Sequence, residues 1–138
     1  MSDAYTLQPP TTRITFEVNA GDTLNALFPV LDDDCAPVEI TPAAAPLWSA
    51  RSQVRRNVHA AEVLHEWTTS GAAPNAEIVP GNPGLVRLRA TAVETAAWQS
   101  WVDFTCGWDL DVIEPAVYGG ATYRIAEGPF LVRPEYTR

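Results

Sequence analysis

Acidic side chains form the densest group of chemically capable residues in this sequence. Asp32, Asp33 and Asp34 are consecutive in a short polar connection. A calcium site needs alternating oxygen ligands and a bidentate carboxylate further along the chain, and Glu39 does not fit that spacing. We therefore interpret the three aspartates as a solvated turn.

A second set of carboxylates alternates along an apolar segment. Asp103, Asp109 and Asp111 fall on one face of a predicted strand, where side chains two positions apart lie about 7 Å from each other. No His or Cys belongs to that face, so we expect a wet outer surface rather than a metal site.

Histidines and nucleophiles show no catalytic spacing. His59 and His65 have no Cys or Asp at ligand spacing, which favours surface or half-buried histidines over metal ligands. No serine stands in a Gly-x-Ser-x-Gly turn, and the pair Gly119-Gly120 precedes a predicted strand rather than a helix. The sequence therefore predicts no catalytic, cofactor or metal site, and a protein that is not an enzyme.

Five tryptophans remain to be explained. Trp48, Trp67 and Trp108 fall on apolar strand faces, so we expect them to pack in the core. Trp98 and Trp101 flank the end of a predicted helix. They either cap an edge of the fold or, if exposed, contact a partner or stack against a sugar.

Length and charge restrict the class of protein. The 138 residues suit one domain, and 17 acidic against nine basic side chains give a net charge of −8. Such a surface repels phosphate backbones and anionic lipids, so we expect neither nucleic acid nor membrane as a partner. We see no secretory signal and no long apolar span, and we expect synthesis in a cytoplasm with two free thiols, Cys35 and Cys106.

Alternation of apolar and polar residues predicts the fold. The period of two is clearest over residues 14–18, 47–56, 85–90 and 104–112. Thr91 and Glu94 have the spacing of a capping box and predict one short helix over residues 92–99. We also expect a bulge at Gly128-Pro129. The prediction is an all-β fold, an antiparallel β-sandwich of about eight strands over residues 13–138, preceded by an extended arm over residues 1–12.

Five segments in order resemble small immunoglobulin-like virion proteins of tailed bacteriophages. Together they cover most of the chain from about residue 14. The segments are FEVNAGDT at 16–23, ARSQVR at 50–55, TAVETAAW at 91–98, WDLDV at 108–112 and AEGPFLVRPEYTR at 126–138. The resemblance implies a structural virion protein related to domains that attach fibres or receptor-binding proteins to a baseplate.

Two residues depart from the pattern of that family. Cys35 stands where the family turn has glycine, so we expect this turn to avoid a positive φ angle. Trp108 stands where the family has tyrosine. The family pattern carries no catalytic residue, so neither change bears on catalysis.

A protein of this kind acts through its surface. The predicted partners are other virion structural proteins, with several copies of the chain in each particle. The candidate contacts lie on the arginine-bearing strand faces and at the two chain ends, residues 1–12 and 133–138. On the strand faces they are Arg51, Arg55, Arg87 and Arg89, and at the C-terminal end the candidate is Tyr136. The favoured role is a tail-tip or baseplate adaptor. A capsid decoration protein and a host-glycan-binding module that uses Trp98 or Trp101 are the alternatives.

Overall fold

The structure is a computed structural model that describes residues 12–32, 34–57 and 60–134. Its helical content is one short α-helix, α1 (Ala92–Ala97), and three 3-10 turns, Ala45–Leu47, Trp98–Trp101 and Ala116–Tyr118. Nine strands account for most of its regular structure. They are β1 (Thr12–Arg13), β2 (Phe16–Asn19), β3 (Leu24–Pro29), β4 (Ser49–Arg55), β5 (Val63–Thr68), β6 (Ala76–Val79), β7 (Leu85–Ala90), β8 (Cys106–Ile113) and β9 (Thr122–Arg133).

The strands form two sheets, as predicted for a β-sandwich. The larger sheet has the order β1-β9-β8-β4-β5, with β2 also paired to β9, and the smaller sheet has the order β3-β7-β6. Every pairing within them is antiparallel except those of β1 and β2, which run parallel to β9. The prediction of a wholly antiparallel fold is therefore wrong at the N-terminus. Alternation identifies a strand, but it does not encode the direction of a partner more than 100 residues away.

The core lies between the two sheets and is rich in aromatic rings. Phe16 packs edge-on against Trp108 at 4.8 Å and against Phe130 at 5.2 Å between ring centroids, and it stacks on Trp67 at 6.0 Å. The predicted inward faces of β4, β7 and β8 are buried as expected: Ala50, Ser52, Val54, Val86, Leu88, Ala90, Cys106, Trp108, Leu110 and Val112. Trp48, which we expected in the core, is half-buried and lies just before β4.

Gly128 allows the N-terminal segment to run beside β9 in close contact. Its φ angle is +154°, and a Cβ atom added there would collide with the Ile14 carbonyl. That carbonyl accepts a hydrogen bond from the Trp108 indole at 3.0 Å. The bulge predicted at Gly128-Pro129 is wrong, because both residues pair in register with β8; the register shifts at Ile125 instead.

Helix α1 forms where the capping box predicts it. The Thr91 hydroxyl accepts from the Glu94 amide at 3.1 Å, and the Glu94 carboxylate accepts from the Thr91 amide at 2.9 Å. Buried Thr95 ties the helix to the turn before β3, donating to the Asp22 carbonyl at 2.7 Å and accepting from the Gly21 amide at 3.0 Å. The helix is therefore anchored by hydrogen bonds at both its N-terminus and its inner face.

Both cysteines are free thiols, as predicted: Cys35 is exposed and Cys106 is buried. The prediction that the turn around Cys35 avoids a positive φ is wrong, since its φ is +62°. The Asp32 carboxylate accepts hydrogen bonds at 2.9 Å from the amides of Asp34 and Ala36 on either side of Cys35. These two bonds help hold a non-glycine residue in the left-handed region.

Candidate docking groove on the larger sheet

Alternation along β4 places a row of polar side chains on the outer face of the larger sheet. Ala50, Ser52 and Val54 point into the core, so Arg51, Gln53 and Arg55 point outward. The register sets Arg51 opposite Asp111, Gln53 opposite Asp109 and Arg55 opposite Gly107 on β8. Arg51 and Gln53 therefore face carboxylates, and Arg55, four positions after Arg51, faces a residue without a side chain.

Asp111 is the buried centre of an ion-pair network. Arg124 on β9 donates from Nε to its Oδ1 at 2.9 Å, and a terminal nitrogen of Arg51 lies 3.7 Å from its Oδ2. We expected Asp111 on a wet face, but it is only 5% exposed. The long arginine side chains cover it, and the pairing offsets the cost of removing its charge from water.

Arg124 also reaches two further carboxylates. Its terminal nitrogens lie 3.5 Å from Asp109 Oδ2 and 3.5 Å from Glu127 Oε1. The hydrogen bond to Asp111 is the main cause that raises the pKa of Arg124 above its ordinary value. Burial raises the pKa of Asp109, and the charge of Arg124 partly opposes that increase. Arg124 is therefore the cation that holds these carboxylates together.

The groove itself lies over Gly107, where the sheet surface lacks a side chain. It encloses about 520 Å³ and is lined by four arginines and two carboxylates: Arg13, Arg51, Arg55, Arg124, Asp109 and Glu127. With Asp111 beneath them, the four arginines meet three carboxylates, so the groove carries a small positive charge in a protein whose net charge is −8. Such a surface attracts carboxylate-bearing partners.

Arg55 lies on one wall of the groove and is held there by two hydrogen bonds. Its terminal nitrogens donate to Gln53 Oε1 at 2.6 Å and to the Ala60 carbonyl at 3.3 Å. Its Nε is buried and makes no hydrogen bond. Arg51, by contrast, has an exposed side chain, and its only ion pair within the described residues is the long one to Asp111. Both arginines line the groove, and the exposed guanidinium of Arg51 is placed to donate to an anionic partner.

The other predicted contact residues lie elsewhere. Arg87 and Arg89 belong to β7, on the smaller sheet, so they do not join Arg51 and Arg55 in one site. Arg87 pairs with Glu77 at 2.9 Å, and Arg89 is exposed. Tyr136 and His59 lie outside the described residues, as do residues 1–11 and 135–138.

Trp98 is not on the surface. It is only 4% exposed and packs edge-on against Trp67 and Phe130, each at 5.8 Å. Trp101 is half-buried and stacks on Trp98 with centroids 5.4 Å apart. The pair therefore closes the aromatic core, as the capping interpretation expected, and Trp98 offers no ring face to a partner or a sugar.

Sequence reasoning missed two of the four groove arginines. Arg13 reaches the groove because β1 pairs with β9. Arg124 reaches it because the bulge at Ile125 changes which way the side chains of β9 point. Arg124 and Glu127 are three positions apart and would point to opposite faces of a regular strand. The bulge turns both outward, and no alternating pattern could have indicated that.

Metal sites, membrane-spanning helices and relatives were also considered as indications of function. Within residues 12–32, 34–57 and 60–134, no three His, Cys, Asp or Glu side chains are grouped as a metal ion would require. No helix in this part of the chain is long and apolar enough to cross a membrane. No protein-family model matches the chain, and no curated protein matches it either.

Proposed function

We propose that this protein is a non-enzymatic structural protein of a tailed-bacteriophage virion, an adaptor at the tail tip or baseplate that docks on larger virion proteins. The sequence support is the ordered series of five segments that resembles small virion proteins of this kind. In this proposal the chain is made in the host cytoplasm and enters the particle in several copies.

The strand order supports the finer assignment of an immunoglobulin-like fold. In such domains strands B, E and D share one sheet, while strands G, F, C and C′ share the other. Here β3, β7 and β6 have the positions of B, E and D, and β9, β8, β4 and β5 have those of G, F, C and C′. Domains with this architecture serve widely as binding modules, although the fold alone does not define a partner.

The arginine groove is the observation that carries the docking role. It places four cations on one face of an otherwise acidic molecule. Acidic copies repel one another in solution, while the groove provides one attractive surface for a partner that presents carboxylates. We infer that the outer face of the larger sheet is the surface that contacts a neighbouring virion protein.

Among the alternatives, a capsid decoration protein uses the same kind of surface and differs only in where the particle holds it. A glycan-binding role through Trp98 or Trp101 is disfavoured because Trp98 is buried and Trp101 is half-buried with one ring face stacked on Trp98. The tail-tip adaptor therefore remains the favoured role, and location in the particle separates it from decoration.

The test compares two double variants that remove equal charge from opposite faces. Arg51→Gln/Arg55→Gln removes two of the four arginines of the groove, and Arg87→Gln/Arg89→Gln removes two arginines from the smaller sheet. Incorporation is measured by quantitative mass spectrometry of purified particles, and melting temperatures verify that each variant folds. We expect the groove variant to incorporate about tenfold less than wild type, because contact energy concentrates in few residues. The control should incorporate normally.

Two results would contradict the proposal. If the wild-type chain is missing from purified particles, it is not a virion protein. If the two double variants incorporate equally well, the docking surface is not the groove.

A further inference from the structure

A second cavity lies at the end of the sandwich, between the two sheets. Ser49 at the start of β4 pairs with Ile113 at the end of β8, and residues that precede β4 and follow β8 line the cavity at this end. The cavity between them encloses about 340 Å³. We call it the loop-end cavity and define it by five lining residues: Asp32, Asp34, Trp48, Glu114 and Tyr123.

Two aromatic side chains form part of its wall. Trp48 and Tyr123 are both half-buried, pack against the hydrophobic core and line the cavity. Aliphatic side chains of the core, among them Val112 and Ile125, line the cavity beside them. An incoming group would therefore meet apolar and aromatic surface inside the cavity.

Three carboxylates line the same cavity. Asp32 is fixed by the two turn hydrogen bonds described above, both made to its Oδ1. Glu114 uses Oε1 to accept from the Ala121 amide at 3.4 Å. Among the described residues, no arginine lines the cavity. Its charge is thus opposite in sign to that of the groove on the larger sheet.

Uncovered apolar side chains occupy the same end of the sandwich. Val117 is 78% exposed and Tyr118 is 60% exposed, both in the turn between β8 and β9. Leu47, immediately before Trp48, is also exposed. Large apolar side chains exposed beside a cavity are typical of a surface that a protein partner covers.

We propose that the loop-end cavity binds an arginine or lysine side chain of a partner protein. The cation would lie against the rings of Trp48 and Tyr123 and be neutralised by the carboxylates of Asp32, Asp34 and Glu114. Flanking apolar residues of the partner would cover Val117 and Tyr118. A neutral sugar would leave three carboxylates without a counter-charge, so charge complementarity favours the cation.

This inference goes beyond the proposed function, since it concerns a different surface and a partner of opposite charge. Acidic partners suit the groove, and basic partners suit the loop-end cavity. A molecule with both surfaces can join two different neighbours at once.

The test titrates the full chain with a short peptide, Ac-Arg-Gly-Arg-NH2. Binding is measured by NMR as the chemical-shift change of the Trp48 indole N–H. Ac-Glu-Gly-Glu-NH2 is the charge-reversed probe, and a neutral oligosaccharide is the third ligand. We expect saturable shifts with the arginine peptide alone. Asp34→Asn/Glu114→Gln should weaken that binding about tenfold, which corresponds to the loss of one strong charged contact.

The matched control is Asp103→Asn/Glu62→Gln. It removes the same charge from exposed positions at the opposite end of the sandwich, beside the starts of β8 and β5. The control should bind like wild type. Equal weakening in both double variants would mean general attraction to an acidic protein and would overturn the proposal, as would an absence of shifts or a preference for the sugar. Because no particle is involved, failure here leaves the virion test unaffected.

Discussion

Replacing Trp108 by alanine tests the packing of the sandwich most severely. The indole is 3% exposed and lies 4.8 Å from the Phe16 ring and 5.2 Å from the Phe28 ring, between centroids. Truncating a buried aromatic side chain to alanine costs about 3–5 kcal/mol. The substitution also removes the hydrogen bond to the Ile14 carbonyl, so we expect a loss in the upper part of that range.

The assay is urea unfolding followed by far-UV circular dichroism, which does not depend on the tryptophan that is removed. For a chain of this length the expected loss corresponds to a fall of about 10–20 °C in melting temperature. Trp108→Phe keeps an aromatic ring but loses the hydrogen bond, and should cost about 1–2 kcal/mol. Val93→Ala, at an exposed position on α1, is the control and should change stability by less than about 0.5 kcal/mol.

A loss below about 1 kcal/mol for Trp108→Ala would refute this reasoning, because no buried ring of that size is removed so cheaply. It would mean that β8 presents Trp108 to solvent and that the two faces of the strand are reversed.

Three further predictions concern the backbone, the thiols and pH. Gly128→Ala should destabilise the fold by about 2 kcal/mol or more in urea unfolding, since the new Cβ meets the Ile14 carbonyl; an unchanged midpoint would show that the N-terminal segment is loosely packed against β9. Burial raises the pKa of the Cys106 thiol, so a thiol reagent should modify Cys35 alone in the native protein and both cysteines after unfolding; rapid native labelling of two thiols would contradict this. Burial lowers the pKa of His65, so the imidazole binds a proton more tightly in the unfolded chain than in the folded one. The free energy of unfolding should therefore be highest above about pH 6.5 and decrease as the pH falls towards the pKa of the folded state. His65→Gln should remove that decrease, and an unaltered pH profile in the variant would assign it to another group.

The elements that the sequence predicted are those with strong local signals. Strand β4 alternates small or apolar residues with arginines, and the structure buries Ala50, Ser52 and Val54 as that alternation requires. Helix α1 begins at Thr91 because its capping box is a local hydrogen-bond pattern, legible from residue types alone.

The features that escaped prediction depend on contacts distant in sequence. The parallel pairing of β2 with β9 joins residues at opposite ends of the described chain, such as Phe16 and Phe130. The burial of Asp111 depends on Arg124, which lies on the neighbouring strand and faces outward only through the bulge at Ile125. Cys35 adopts a positive φ in a turn where the Asp32 carboxylate bonds the neighbouring amides.

Two of the four arginines of the candidate groove could be predicted from the sequence, because their placement depends on local alternation alone. Arg51 and Arg55 share one strand, so their common outward face follows from a period of two. Their separation from Arg87 and Arg89 does not, because it depends on which sheet each strand joins.

A reconstruction of the whole virus particle by electron cryomicroscopy tests the central claim most directly. We expect density for this β-sandwich at the tail tip or baseplate, in several copies, with Arg51 and Arg55 of the groove buried against a neighbouring protein. Density over the capsid lattice would contradict the tail placement and favour the decoration role. A particle that lacks the chain altogether would contradict the proposed function.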